Sequence, residues 1–204
     1  MNEPRYPLLT LSRLRMETDG EGVTTLVAGS GCPLSCKWCI NRRLLAEAKA
    51  TLVSPQELYD KVKIDNLYFQ ATGGGVTFGG GEALLHAEFI RAFREVCGRA
   101  WRIYAETSLH VPQEKVAIAA QAVDAFIVDI KDLNSKIYYG YTGGDVSLVL
   151  ENLRFLIEKV GTDKITVRVP LIPEYNTEAD RSNTLAKLSA MGVSKTGLFT
   201  YIKR

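Results

Sequence analysis

Long apolar runs, histidine and net charge are all scarce in this 204-residue chain, and each scarcity narrows the field. The uninterrupted apolar stretches fall well short of the roughly 20 residues that a membrane-spanning helix needs, so no membrane partner is expected. The formal charge is +2 at pH 7. With no basic stripe interleaved with aromatics, that balance offers no footprint for nucleic acid. The two histidines, His86 and His110, have no partners at ligand spacing and receive no role. Cysteine is limited to four residues, and an odd cluster of three leaves a thiol over in any disulfide scheme. The opening residues Met1-Asn2-Glu3-Pro4-Arg5 carry no apolar core of the secretory kind, so a reducing cytoplasm is expected. No low-complexity segment or long linker interrupts the chain. A content of 46% hydrophobic and 24% charged residues is ordinary for a globular fold, and one domain over residues 1–204 is expected.

What is present is concentrated. Cys32-Pro-Leu-Ser-Cys36-Lys-Trp-Cys39 directly follows the apolar run Val23 to Ala28. Gaps of three and then two residues let one loop present three thiolates to one face of a compact cluster. A [4Fe–4S] cube has four irons, so Cys32, Cys36 and Cys39 would leave one iron open to a non-protein ligand. Structural zinc needs four ligands, often as separated pairs, and the other candidates, Cys97, His86 and His110, are distant in sequence. The iron–sulfur reading is preferred, and Cys97 is read as a packing residue. Trp38 reads either as loop packing or as a shield for the cluster that also meets a flat ligand ring.

Apolar, β-branched runs alternate with helical patterns. Strands are predicted at Val23–Ala28, Gly75–Phe78, Arg102–Glu106, Ala125–Asp129, Thr166–Leu171 and Leu198–Tyr201. Ser54-Pro55-Gln56-Glu57 has the form of a capping box with proline at the first helical position. Further helices are predicted over Ala83–Val96, with Leu85, Phe89, Phe93 and Val96 on one side, over Pro112–Ala122, over Ser147–Val160 and over Thr177–Met191, the last stopped by Gly192. Six β-α repeats with long connections imply a parallel sheet. Six strands are too few to close the eight-stranded α/β barrel. The expected fold is therefore an incomplete (β/α)6 TIM-like barrel, open on one side, with ligands at the carboxyl ends of its strands.

Polar clusters fall at those ends. Gly79-Gly80-Gly81-Glu82 follows the second strand, either as a glycine turn with a helix-dipole glutamate or as a stretch whose carbonyls approach a ligand ammonium. Glu106-Thr107-Ser108 ends the third strand, and Asp129-Ile130-Lys131 the fourth. Asp129 and Lys131 would face one side together; taken alone, a structural ion pair is the better reading. Arg168 on the fifth strand could clamp a carboxylate through two parallel hydrogen bonds. Tyr138-Tyr139-Gly140-Tyr141 fits a surface aromatic patch or core packing equally.

With its cysteine triplet and the aromatic before the last cysteine, the chain resembles the radical S-adenosylmethionine (SAM) enzymes. Within them it is similar to the activating enzymes of glycyl radical enzymes. The likeness extends to Asp19-Gly20-Glu21-Gly22, to Gly74 through Glu82, to Val128-Asp129-Ile130-Lys131 and to Arg168 through Pro173. The resemblance implies an anaerobic oxidoreductase in which Cys32, Cys36 and Cys39 hold a [4Fe–4S] cluster whose fourth iron binds SAM. It implies cofactor contacts from Gly80, Gly81 and Glu82 near the methionine amino group, and from Trp38 and Ile40 near the nucleoside. Lys131 would meet the carboxylate, with Ile130 a further cofactor contact, Asp129 and Glu106 would meet the ribose or a monovalent cation, and Arg168 the SAM side. The implied reaction cleaves SAM reductively and removes hydrogen from a glycine of a partner glycyl radical enzyme, with a flavodoxin or ferredoxin-type electron donor. Lys37, Arg42 and Arg43 would help dock that donor. The alternatives are a radical SAM enzyme acting on another peptide or small molecule, and a non-catalytic cluster-binding module. The chain departs from the pattern in two places that matter below. Glu106 stands where pyruvate formate-lyase activators have aspartate, and Asn41-Arg42-Arg43 replaces the usual Asn-Pro-Glu.

Overall fold

The computed structural model describes residues 3–16 and 18–202. Eight strands form one sheet in the order β3-β1-β2-β4-β5-β6-β7-β8. They are β1 Tyr6–Met16, β2 Val23–Gly29, β3 Thr51–Val53, β4 Gly75–Gly80, β5 Arg102–Thr107, β6 Ala125–Asp129, β7 Ile165–Leu171 and β8 Thr196–Thr200. The helices are α1 Arg42–Glu47, α2 Pro55–Val62, α3 Asn66–Thr72, α4 Ala87–Cys97, α5 Gln113–Ala119, α6 Ser135–Thr142, α7 Val146–Val160 and α8 Glu178–Ala190.

β2 and β4 through β8 are all parallel, so the six expected strands are present. The sheet ends at β8 on one side and does not close on itself, as six parallel strands require. Two further strands are added to those six. β1 runs antiparallel to β2, and β3 antiparallel to β1. Residues 18–22 turn β1 into β2, so the Asp19-Gly20-Glu21-Gly22 segment, read only as a motif, is also a hairpin connection. Gly20 lies flat against the Tyr104 ring, where an added Cβ would stand 2.7 Å from Cδ2.

Local chemistry explains the helix boundaries. Ser54 Oγ accepts from Glu57 N at 3.1 Å and Ser54 N donates to Glu57 Oε2 at 2.6 Å, closing the predicted capping box of α2. Thr177 and Asp180 form a second box on α8. The expected helix Ala83–Val96 is split. Ala83–His86 is a 3-10 turn and α4 starts at Ala87. Three residues per turn instead of 3.6 shifts the apolar stripe, so Ile90 and Cys97 join Phe89 and Phe93 inside while Val96 faces out. The core lies between the sheet and these helices, with Phe78, Phe89, Phe93 and Tyr6 in edge-to-face and tilted ring contacts. Among the described residues no helix is long and apolar enough to cross a membrane.

Candidate functional site

The cysteine loop leaves the carboxyl end of β2 and is fixed at both flanks by backbone bonds. Ser35 N donates to Thr142 O at 2.8 Å and Lys37 N to Tyr141 O at 3.0 Å. Those carbonyls close the last turn of α6, where a helix has acceptors without internal partners, and Cys36 sits between the two bonds. On the other side Gly81 N donates to Gly29 O at 3.0 Å and Glu82 N to Gly31 O at 2.8 Å. Here the glycines are explained by packing. A Cβ on Gly81 would stand 2.1 Å from Gly31 O, and Gly80 has φ +91° with Ala28 against it. Asn41 Nδ2 donates to Gly80 O at 2.7 Å, tying the far end of the loop to the same turn.

Loop and strand ends enclose a cavity of about 290 Å³. Cys32, Cys36 and Cys39 line it together with Gly80, Gly81, Glu82, Glu106, Asp129, Lys131 and Arg168. Ile40 is also there, 80% exposed at the rim. Two expected cofactor residues stand elsewhere. Ile130 is fully buried in the core, and its N–H is spent on Arg168 O at 3.0 Å. Trp38 meets Tyr175 edge-on at 6.1 Å and is not among the residues lining the cavity. Cys97 is buried away from the triplet. His86 braces the root of the loop, its Nε2 3.0 Å from Ser30 O. A larger cavity, about 810 Å³, lies at the amino ends of the strands. Arg168 borders both, but the cysteines and Lys131 face only the smaller one.

Glu82 is 3% exposed, and its carboxylate is saturated from within the chain. Oε1 accepts from Thr107 Oγ1 at 2.6 Å and Leu84 N at 3.1 Å, while Oε2 accepts from Ser108 N at 2.8 Å and Ser108 Oγ at 2.6 Å. It thus braces the ends of β4 and β5 and puts a negative charge at the cavity wall. Lys131 Nζ donates to Asp129 Oδ2 at 3.2 Å and Tyr201 Oη at 2.9 Å. Burial alone would lower the lysine, but Asp129, Tyr201 and Cys36 outweigh it and hold the ammonium above its ordinary value. Asp129 Oδ1, by contrast, is buried without a hydrogen-bond partner, with Arg168 Nη1 4.0 Å away. Arg168 donates to Glu106 at 2.8 Å. Burial, with the charges of Asp19 and Asp129, still keeps the Glu106 carboxyl above the usual range despite Arg168.

The thiols fit a cluster better than a single ion. All three are free, yet among the described residues no three His, Cys, Asp or Glu side chains converge as one ion would require. A cube takes each thiolate at a different corner. Burial pushes the Cys32 and Cys36 thiols up, Cys36 to about 11; the charge of Cys39 adds to both, and that of Cys32 to Cys36. The orphan Asp129 Oδ1 and the cation at Lys131 suit a ligand with hydroxyl donors and a carboxylate. Sequence reasoning gave no role to Asn41, Thr107, Ser108, Tyr141 or Tyr201. Thr107-Ser108 following a strand beside Glu106 was the one signal available.

The family profile described as the radical SAM superfamily matches residues 26–187. Choline trimethylamine-lyase activating enzyme of Oleidesulfovibrio alaskensis is 29% identical over 79% of this chain and 71% of its own length. (2S)-3-sulfopropanediol sulfolyase activating enzyme of Bilophila wadsworthia is 30% identical over 79% and 74%. Pyruvate formate-lyase 1-activating enzyme of Escherichia coli is 28% identical over 90% and 76%. Among solved structures, Streptococcus suis SuiB bound to S-adenosylmethionine superposes with a TM-score of 0.65 at 13% identity over 85% of this chain. The chain spans about two fifths of SuiB, and that likeness is one of fold. A thiol triplet facing a cavity at the strand ends of an open parallel sheet is thus joined by a match over most of the sequence, and the chain belongs to the radical SAM superfamily.

Proposed function

We propose that this chain is an activating enzyme that cleaves SAM reductively at a [4Fe–4S] cluster and thereby removes hydrogen from a glycine of a partner glycyl radical enzyme. The observation that carries this reading is the meeting of Cys32, Cys36 and Cys39 with Glu82, Asp129, Lys131 and Arg168 around one cavity. The three relatives named above, each an activating enzyme, support the substrate class. When bound, the cluster and SAM supply one electron and a sulfonium carbon–sulfur bond whose cleavage yields the hydrogen-abstracting radical.

The residues of the chain hold and orient. Cys32, Cys36 and Cys39 take three irons. The Gly80–Gly81 turn and the Glu82 charge favour the amino group of SAM, and the Lys131 ammonium its carboxylate. Asp129 Oδ1 is open to a ribose hydroxyl. Glu106, paired with Arg168 at 2.8 Å, lines the cavity together with Asp129, and these two carboxylates would border a monovalent cation. Leu34, Leu45 and Phe199 exclude water from the reacting bond. Because the three cysteines share one cavity with Asp129 and Lys131, a cluster and SAM bound there would meet without a diffusive encounter. The same proposal covers a single radical SAM core in the cytoplasm, served by a flavodoxin or ferredoxin-type donor and independent of membrane or nucleic acid.

Oxygen-free reconstitution with iron and sulfide tests it. About four irons per chain, methionine and 5′-deoxyadenosine after reduction with SAM, and a glycyl doublet in electron paramagnetic resonance on adding a glycyl radical enzyme are expected. A chain that takes up one zinc and no iron would end the proposal. SAM cleavage without the doublet would move the substrate to another peptide or a small molecule.

A further inference from the structure

Tyr141 presents a buried hydroxyl to the cavity and finds nothing to give its proton to. The residue is 1% exposed, it lines the cavity with Cys36 and Lys131, and its Oη has no partner in hydrogen-bond geometry. The Trp38 backbone amide faces that oxygen, but as a donor, which leaves the hydroxyl proton unplaced. The ring is clamped, edge-on to Tyr175 at 5.0 Å and stacked on Tyr201 at 6.3 Å. Burying an O–H without an acceptor is costly, and a clamped ring cannot swing it to solvent. The acceptor therefore belongs to whatever fills the cavity.

Position within the fold selects which part of the occupant that is. Lys37 N donates to the Tyr141 carbonyl and Ser35 N to the next one, Thr142, so Cys36 is strapped across the residue whose hydroxyl is unspent. Negative charge at Cys36 also reaches both Tyr141 and Tyr138. Of the other polar groups nearby, Lys131 is itself a donor, engaged by Asp129 and Tyr201, and the Tyr201 hydroxyl already accepts from Lys131.

Resting on the cluster assignment above, we infer that Tyr141 donates a hydrogen bond to a sulfur at the Cys36 corner of the bound cluster and raises its reduction potential. A donor to a cluster sulfur favours the reduced state, which carries one more negative charge.

The test is Tyr141→Phe, with Tyr139→Phe, an exposed neighbour on the same helix, as control. Both proteins, loaded without oxygen, should carry the iron of the parent. In Tyr141→Phe the ratio of reduced to oxidised cluster at a fixed potential should fall about fivefold, as loss of one hydrogen bond predicts, while Tyr139→Phe stays at the parent value. Pulsed electron–nuclear double resonance on the reduced parent should show an exchangeable proton that deuterated solvent removes and Tyr141→Phe lacks. Equal potentials in loaded parent and Tyr141→Phe overturn this inference and leave the activating-enzyme reading intact. A change confined to SAM affinity overturns it too, because the acceptor then lies on SAM. A parent that assembles no cluster takes down both.

Discussion

The guanidinium of Arg42 donates to the carbonyl of Cys36 at 2.7 Å, and through the same Nη2 to the carbonyl of Lys37 at 2.8 Å. It lies outside the cavity yet holds the outer side of the cysteine loop while α6 holds the inner side. The sequence reading gave Arg42 and Arg43 to the docking of an electron donor. The geometry gives Arg42 a local task first, and pairs Arg43 with Glu47 at 2.8 Å.

Arg42→Gln should therefore loosen the loop without unfolding the chain, since the side chain is exposed. Iron loss to a chelator should accelerate about threefold, the order expected for a modest hydrogen-bond loss, with the circular dichroism melt unchanged. Arg42→Lys should lie between the two, because the ammonium keeps the charge but on a different stem, which does not reproduce the position of Nη2. Equal chelation rates for all three proteins would show that the contact does not secure the loop.

Gly81→Ala tests the close approach of β4 to the loop root. A Cβ placed 2.1 Å from the Gly31 oxygen meets backbone on both sides, so relief requires moving the loop itself. A loss of about 1–3 kcal/mol in denaturant unfolding is expected, as for other overpacking substitutions, together with reduced iron uptake. Unchanged stability would mean that the turn has slack the packing does not reveal.

These features differ in how far the sequence announced them. The cysteine triplet, the strand runs and the Ser54–Glu57 box are local, with the pattern and the structure set by neighbours a few residues apart. β1 and β3 were not legible, because β1 carries Pro7, Arg13 and Arg15 within its run and β3 is three residues long. β1 is paired by β2, and β3 in turn by β1. The roles of Asn41, Ser108 and Tyr201 were equally hidden, since each depends on a partner 26 to 70 positions away, Gly80, Glu82 and Lys131 respectively. The Ala83–Val96 stripe misled for a local reason: its first turn is tighter than an α-helix.

Asp65 carries a pH dependence of stability away from the site. Its carboxylate is closed to solvent and accepts from Arg13 Nε at 3.0 Å and Thr25 Oγ1 at 2.7 Å. Burial alone would raise it, but those hydrogen bonds prevail and hold it below the usual carboxylate value. A depressed folded pKa means stability present above the unfolded value, about 3.9, and lost as pH falls through the folded one. Asp65→Asn should cost about 1–3 kcal/mol near neutrality, and the gap from the parent should close in that acid window. A pH-independent gap would assign the loss to packing.

Lys131 and Asp129 allow two readings, a structural ion pair or a ligand-binding pair, and substitution separates them. Lys131→Met leaves the Asp129 carboxylate partly buried with only Arg168, 4.0 Å away, as a cation. Breaking a buried pair from one side should cost about 3 kcal/mol in thermal or denaturant unfolding. Adding Asp129→Asn removes the stranded charge and should recover at least half of that loss. If the pair is only structural, the double variant should also bind SAM as the parent does. If the ammonium meets the carboxylate of SAM, affinity measured by equilibrium dialysis should stay at least about tenfold weaker in the double variant than in Asp129→Asn alone, which loses the ribose contact but keeps the ligand's counter-charge. Binding at the parent level in the stabilised double variant would leave Lys131 a structural residue and move carboxylate recognition to Arg168.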